Sequence, residues 1–118
     1  MATINLTKGG FERKVASLEN IHSDLHFLGD KPALIDFYAS WCGPCKALAP
    51  VLEEVSELYA GKVDIYKVDV DQEQELATAF GIRSIPTLYF ISVNGQMQHA
   101  MGAMSKEQLC KMLDSIIK

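Results

Sequence analysis

Hydrophobic residues along the chain fall into short continuous runs and into stripes at helical spacing. The run ALIDFYA, residues 33–39, is nearly all apolar and rich in large side chains, which predicts a central strand covered on both faces. The segment VDIYKVDV, residues 63–70, predicts a second strand. The runs TLYFISV and QMQHAM flank Asn94 and Gly95, a strong hairpin signal, so the last two strands are expected to be antiparallel.

Two helices are predicted in the first half of the chain. Thr7 can cap a helix whose apolar positions continue to Leu18. A longer helix is predicted by an apolar stripe from Leu48 to Tyr59, and Gly61 is positioned to end it. The longer helix comes soon after the predicted central strand.

Two further helices are predicted after the second strand and after the hairpin. Asp71 with Gln74 three residues later predicts a short capped helix, and Ser105 with Gln108 forms a capping box for the last helix. Because strands alternate with helices before the hairpin, the predicted fold class is α/β, with a central mixed sheet flanked by helices on both faces. The last helix is expected to turn five apolar side chains inward, those of Leu109, Met112, Leu113, Ile116 and Ile117.

Length and composition fit one compact domain over residues 1–118. The chain has 118 residues, of which 48% are hydrophobic and 22% charged, enough for a core that folds without disulfides or metal. A formal net charge of −4 with no basic block gives no electrostatic footprint for nucleic acid or an anionic membrane. The first residues, MATINLTKGG, lack the pattern of a secretory signal, and no apolar run approaches the ~18 residues of a membrane span. We therefore expect a cytoplasmic monomer whose partners are proteins or small molecules.

Two of the three cysteines stand close together in DFYASWCGPCKALAP, residues 36–50. Three cysteines are too few for a disulfide framework, and in a reducing compartment a close pair indicates redox or metal chemistry rather than a structural staple. A zinc site would need two more ligands, but Cys110 stands alone in the sequence and the three histidines show no ligand spacing. Redox chemistry is therefore favoured, and Cys110 is interpreted as a small hydrophobic residue of the last helix.

The predicted start of the longer helix suits a reactive thiol at Cys42. Cys45 follows three residues later, so both sulfurs lie near the first turn and can reach each other. Unpaired N–H groups and the positive end of the helix dipole stabilise a thiolate there and lower its pKa. Pro44 has no N–H and suits the first helical turn, while Trp41 can offer an apolar contact to a partner. Cys42 is expected to be the more exposed cysteine.

Asp36 is the one carboxylate within the predicted central strand. Burial is expected to raise its pKa, so that it could exchange a proton near neutral pH. Lys67 shares the parity of Val63 and Ile65 in the second strand, so it is expected on the same covered face, where it could pair with Asp36. The alternative is that Asp36 satisfies a local hydrogen bond while Lys67 extends to water. The residue chemistry by itself leaves both alternatives open.

The chain resembles the thioredoxin family over nearly its whole length, most strongly from Pro32 to Lys118. The resemblance rests on WCGPC at 41–45 preceded by DFYAS, and on Asp36, Pro50, Lys67, GIRSIPT at 81–87, NG at 94–95 and MGAMSKEQL at 101–109. It implies a thioredoxin fold. Tyr38, Ser40 and Met101 differ from the residues that are common in the family, and these differences concern partner choice rather than chemistry.

The resemblance also implies roles for individual residues. Cys42 would be the attacking thiol, Cys45 the resolving thiol and Asp36 the proton acceptor that assists Cys45, with Lys67 in the same site. The redox-active disulfide Cys42–Cys45 would serve in place of a cofactor, with no metal. The peptide bond before the family's matching proline is cis, and that proline faces the cysteines. The substrate groove would consist of Trp41, Gly43, Pro44, Ile85, Pro86, Met101, Gly102 and Ala103.

The expected activity is the reduction of protein disulfides, with thioredoxin reductase as the partner that restores the dithiol. An oxidase or isomerase is an alternative with the same chemistry, which Gly43 and Pro44 between the cysteines disfavour. A different alternative is a binding module that docks through the surface around Trp41 without using its thiols. Replacing both cysteines by serine would separate this last alternative from the redox function.

Overall fold

A five-stranded mixed sheet forms the centre of the computed structural model, which describes residues 2–22 and 25–117. The strands are β1 Ile4–Asn5, β2 Ala33–Tyr38, β3 Asp64–Asp69, β4 Thr87–Ile91 and β5 Met97–Met101. Their spatial order is β1-β3-β2-β4-β5. The first three strands are mutually parallel, β4 is antiparallel to β2, and β5 is antiparallel to β4.

Helices cover both faces of this sheet. They are α1 Lys8–Lys14, α2 Gly43–Leu58, α3 Gln74–Ala79 and α4 Lys106–Ile117, with a short 3-10 helix at Leu18–Asn20. Apolar side chains of α1 and α3 pack on one face, and those of α2 and α4 pack on the other. The predicted α/β class, with a mixed sheet flanked by helices on both faces, is therefore confirmed.

The strand β2 lies in the middle of the sheet and is buried along almost its whole length. Ile35 and Phe37 point to the core under α1 and α3, whereas Leu34 points to the core under α2 and α4. Asp36 shares the parity of Leu34, so its side chain faces α2. In the sheet register it lies opposite Lys67 of β3.

The first two helices end earlier than their sequence patterns predict. Thr7 caps α1 by accepting a hydrogen bond from the Gly10 amide, as predicted, but α1 ends at Lys14 instead of reaching Leu18. The carbonyl of Val15 accepts the amide of Leu28 at 2.8 Å, so a long-range contact takes the acceptor that a longer helix would use. Similarly, α2 ends at Leu58, and Gly61, with φ of +82°, lies in the turn beyond it.

The predicted cap of the third helix is wrong. The helix α3 starts at Gln74 and is preceded by Glu73, which makes no side-chain capping bond. The carboxylate of Asp71 instead accepts a hydrogen bond from the indole of Trp41. The strand β1 was not predicted, because two residues are too short to show a period.

The second half of the chain follows the predictions closely. Ser105 and Gln108 form the reciprocal capping box of α4, with bonds of 3.0 and 3.1 Å. The turn between β4 and β5 holds Gly95 at φ of +87°, a conformation that glycine adopts without strain. Of the α4 residues predicted to be inward, Leu109, Leu113 and Ile116 are buried and Met112 is partly buried, but Ile117 is exposed.

Candidate active site

The two cysteines stand at the start of α2, just beyond the end of β2. Cys42 is the N-cap residue of the helix, and Pro44 occupies its first turn. The amide of Cys42 bonds the Ala39 carbonyl at 3.2 Å, which closes the turn from strand to helix. The two cysteines form a disulfide, with Cα atoms 5.2 Å apart. The local pattern of strand, turn and helix therefore places both sulfurs at one helix end.

The helix end favours negative charge on the sulfur of Cys42. The amide of Cys45 donates to the Cys42 sulfur at 3.2 Å, as an N-cap side chain accepts from the third helical residue. In the reduced protein this bond and the positive end of the α2 dipole stabilise the thiolate relative to the thiol. Cys45, within the first turn, lacks the N-cap position. The arrangement therefore distinguishes the two thiols electrostatically.

Exposure does not distinguish the two cysteines. Cys42 is 5% exposed and Cys45 is 4% exposed, so the expected difference in favour of Cys42 is present but too small to separate the two thiols. Both pack with Ala39, and Tyr38 and Ile85 lie against the same cluster. Neighbours at the end of β2 and in the loop before β4 cover both sulfurs. The sequence around the cysteines does not reveal these neighbours, because the loop before β4 is distant in the chain.

Asp36 lies beneath the cysteine-bearing helix and is 1% exposed. Its Oδ1 atom has no hydrogen-bond partner within the described part of the chain. Burial raises the pKa of this carboxyl from its ordinary value of 3.8 to about 7, and the positive charge of Lys67 opposes part of that rise. The predicted effect of burial on Asp36 is confirmed.

Lys67 lies on the predicted face of β3, on the side of Val63 and Ile65. No ion pair joins Lys67 to Asp36, both of which are described. The ammonium lies over the ring of Tyr38 instead, 4.6 Å from the ring centroid. The predicted proximity of Lys67 and Asp36 is therefore correct, whereas a direct salt bridge between them is not formed.

A surface cavity of about 180 Å³ opens beside Cys45 and Lys67, whereas Asp36 does not line it. Tyr38, Cys45 and Lys67 line it, together with the exposed residues Ser40 and Lys46. Water in such a cavity could carry protons to and from the site, because the walls offer polar groups and an opening to the surface.

The residues that the family resemblance assigns to a substrate groove lie in three separate segments, at 41–44, 85–86 and 101–103. Gly43 and Pro44 are exposed at the start of α2, Trp41 is 67% exposed, and Met101 is 69% exposed at the end of β5. Ala103 is exposed beyond Met101.

The loop before β4 contributes Ile85 and Pro86 to this predicted set and lies against Cys42. The Ile85–Pro86 bond is cis, and Pro86 is buried. The Ile85 carbonyl oxygen lies 3.9 Å from the Cys42 sulfur. The amide of Gly102 donates to the Pro86 carbonyl at 2.8 Å, which ties the groove's two loops together.

Sequence reasoning missed the part of this surface that lies beside α3. A cavity of about 330 Å³ separates Trp41 from that helix, and Val70, Ile82 and Arg83 line it. The indole of Trp41 donates to the Asp71 carboxylate at 2.8 Å and is oriented by it. No local signal joins Trp41 to Asp71, because thirty positions separate them in the chain.

Other chemistry is sparse in the described residues. Residues 2–22 and 25–117 contain no group of three or more histidine, cysteine, aspartate or glutamate side chains that could hold a metal ion. No helix in those same ranges is long and apolar enough to cross a membrane. Cys110 is unpaired and partly buried against the α2 and α4 core, which agrees with its interpretation as a small hydrophobic residue.

Comparisons with known proteins match most of the chain. Residues 3–115 match the family model described as Thioredoxin. The chain is 44% identical to a thioredoxin of Borreliella burgdorferi over 88% of each chain. It is also 39% identical to a thioredoxin of Alicyclobacillus acidocaldarius over 99% of this chain and 100% of that protein. Thioredoxins are protein-disulfide oxidoreductases that use a redox-active disulfide rather than a cofactor. In this chain Cys42 and Cys45 form a disulfide at the matching spacing. The chain therefore belongs to the thioredoxin family.

Proposed function

We propose that this thiol-disulfide oxidoreductase reduces protein disulfides in a cycle that Cys42 opens and Cys45 closes. The Cys42 thiolate attacks one sulfur of the substrate disulfide, and the other substrate sulfur leaves as a thiolate. Cys45, once deprotonated, attacks the Cys42 sulfur of this mixed disulfide and releases the second substrate thiolate. Two electrons pass to the substrate, and the Cys42–Cys45 disulfide remains.

The observation that carries these roles is the hydrogen bond from the Cys45 amide to the Cys42 sulfur. It supports Cys42 as the attacking thiol, because a thiolate at the N-cap accepts this amide bond in addition to the effect of the helix dipole, whereas Cys45 makes no such bond among the described residues.

Asp36 supplies the proton acceptor for Cys45 in this proposal. A base is most effective when its pKa lies near the working pH, and the pKa of about 7 at Asp36 meets that condition. Lys67 limits the rise of this pKa and so keeps part of the carboxyl ionised at neutral pH. Cys45 and Lys67 line the same cavity, which leaves room for water beside the resolving thiol.

Substrate chains bind, in this proposal, across the groove around the cysteines. Its residues are Trp41, Gly43, Pro44, Ile85, Pro86, Met101, Gly102 and Ala103. The exposed apolar surfaces of Trp41 and Met101 support it, because such surfaces gain free energy when a partner covers them. An extended substrate segment would hydrogen-bond the backbone at Ile85.

The proposal includes the setting in which the cycle runs. Thioredoxin reductase restores the dithiol after each turnover, and proteins with accessible disulfides are the substrates. A cytoplasmic location fits this direction, because a reducing compartment keeps the dithiol available. We further propose that residues 1–118 form one thioredoxin domain that acts as a monomer.

The test is to trap the mixed disulfide with a disulfide protein such as insulin. Cys45→Ser should accumulate a covalent complex through Cys42, and Cys42→Ser should form none. Alkylation of the reduced protein at pH 7 should modify Cys42 at least ~10-fold faster than Cys45 or Cys110, because its thiolate fraction is larger.

Cys110→Ser is the matched control, since it removes a thiol outside the site and should leave turnover unchanged. A complex linked through Cys110, or faster alkylation of Cys45 than of Cys42, would contradict the assigned roles. The double variant Cys42→Ser/Cys45→Ser tests the alternative of a binding module. If this variant still captured its partners and kept its cellular activity, the protein would be a binding module instead.

A further inference from the structure

The ammonium of Lys67 rests on an aromatic ring rather than on a carboxylate. Its nitrogen lies 4.6 Å from the centroid of the Tyr38 ring, within the range of a cation–π contact. Lys67 has no salt bridge in the described ranges, although Asp36 is its direct neighbour in the strand register. The contact that the structure shows for the Lys67 ammonium is therefore with the Tyr38 ring.

The strand geometry explains how Tyr38 reaches Lys67. Tyr38 follows Asp36 by two residues in β2, so both side chains leave the sheet on the face that α2 covers. Lys67 leaves β3 on the same face, beside both of them. Tyr38 and Lys67 also line the cavity that contains Cys45. The ring and the ammonium therefore stand between the buried carboxyl and the solvent.

We propose that Tyr38 is a positioning residue that holds the Lys67 ammonium beside the Asp36 carboxyl and Cys45 through the face of its ring. Without the ring, the ammonium would extend into the open cavity and be hydrated there, farther from Asp36. The ring, and not the hydroxyl, makes the contact, so a phenylalanine at this position should serve as well. The proposal rests on the proposed function only where it treats Asp36 as the acceptor for Cys45.

Other charges near Asp36 and Tyr38 come from each neighbouring element. Asp69 of β3 lies opposite Tyr38, and Glu73 before α3 lines a second cavity that Tyr38 also borders. Lys46 of α2 lines the cavity shared with Cys45. None of these three groups contributes to the shift of the Asp36 pKa, which Lys67 alone lowers, so the test isolates the contribution of Lys67.

The experiment measures the pKa of Asp36 by NMR titration of its carboxyl carbon in the oxidised protein, where neither Cys42 nor Cys45 titrates. The difference in the Asp36 pKa between the Lys67→Met variant and its parent gives the effect of the Lys67 charge on that pKa. This difference is measured in three backgrounds, which are the unaltered chain, Tyr38→Leu and Tyr38→Phe. Changes in hydration caused by losing the ring cancel in each difference, because they affect both members of the pair.

The shift that Lys67 causes in the Asp36 pKa should become smaller in the Tyr38→Leu background, because Coulomb energy varies as the reciprocal of distance and a released ammonium lies farther from the carboxyl. It should be unchanged in the Tyr38→Phe background, which keeps the ring. If Tyr38→Leu does not fold, Tyr38→Ile provides a non-aromatic side chain that suits a strand. An equal influence of Lys67 in all three backgrounds, or a loss of it in Tyr38→Phe, would overturn the proposal.

A kinetic readout separates this inference from the proposed function. The pH midpoint of resolution by Cys45 should follow the Asp36 pKa in each variant. If Asp36→Asn left the resolution rate unchanged, the role of Asp36 as acceptor would fail, whereas the NMR result would still decide the role of Tyr38.

Discussion

At the scale of single residues, Asp36 combines a cost in stability with a use in chemistry. A carboxyl that is 1% exposed and lacks a hydrogen-bond partner for Oδ1 in the described chain loses its hydration when it ionises. The resulting rise of its pKa from 3.8 to about 7 corresponds to about 4 kcal/mol of lost folding free energy once the group is ionised in both states. The same rise makes the carboxyl a proton acceptor near neutral pH.

The sign of the pH dependence follows from this pKa. Between about pH 4 and pH 7 the unfolded chain has released the Asp36 proton while the folded protein still holds it. The folded state binds more protons there, so the contribution of Asp36 to stability falls as the pH rises through this window. Above pH 7 the full cost is present.

We predict that Asp36→Ala stabilises the oxidised protein by ~1 to 3 kcal/mol at pH 8, after the cost of the cavity is deducted. At pH 5 the gain should be much smaller, because the native carboxyl is then neutral. Resolution by Cys45 should slow, while the first attack by Cys42 should change less. Denaturant unfolding at the two pH values and single-turnover reduction of a disulfide substrate measure these effects.

A variant that is destabilised equally at pH 5 and pH 8, with an unchanged resolution rate, would show that Asp36 is structural. The exposed carboxylate of Asp30 provides a control, since Asp30→Ala should not change the pH dependence in the same window.

At the scale of elements, two separate features require glycine in the turn between β4 and β5. Gly95 has φ of +87°, which residues with a Cβ rarely adopt. A Cβ at this position would also lie 3.0 Å from the Leu25 carbonyl oxygen, which belongs to the connection before β2. Glycine at this position is therefore required both by the backbone conformation and by the close approach of a neighbouring segment.

Gly95→Ala should lower the free energy of unfolding by about 2 kcal/mol, half from the strained φ and half from displacement of the Leu25 backbone. Gly61→Ala is the matched control, because Gly61 also has a positive φ of +82° but would meet no atom within 4 Å. It should cost only about 1 kcal/mol. Equal losses in denaturant unfolding would mean that the Leu25 contact relaxes freely.

At the scale of the whole molecule, the sheet separates a stabilising core from the redox site. Phe11 of α1, Phe37 of β2, Phe80 after α3 and Tyr89 of β4 pack their rings together under one face, with centroids 4.8 to 5.9 Å apart. Asp36 and Lys67 lie on the other face. We therefore expect changes in the aromatic core to lower stability without altering the electrostatics around the cysteines.

We predict that Phe80→Leu lowers the free energy of unfolding by about 1 to 2 kcal/mol, because it removes ring contacts and leaves a small void. The pKa of Asp36 and the alkylation rate of Cys42 should not change. Leu58→Ala, at an exposed position of α2, serves as the surface control and should stay within about 0.5 kcal/mol. A change in either site property with Phe80→Leu would show that the two faces are coupled.

The sequence by itself determined the features that depend on near neighbours in the chain. The strands β2 to β5, the cysteines at a helix start, the capping box of Ser105 and Gln108 and the face of Lys67 all follow from periods and caps. These signals act within a few residues, so they are readable before the chain is folded.

Only the tertiary structure decided the contacts between distant segments. The bond from Leu28 to Val15 ended α1 early, and Trp41 took the Asp71 carboxylate that the sequence assigned to a helix cap. Packing covered Cys42 and Cys45 equally, and the Tyr38 ring, not Asp36, received the Lys67 ammonium. Each of these outcomes is a competition among partners that only the folded chain brings together, and local sequence patterns carry no information about which partner prevails.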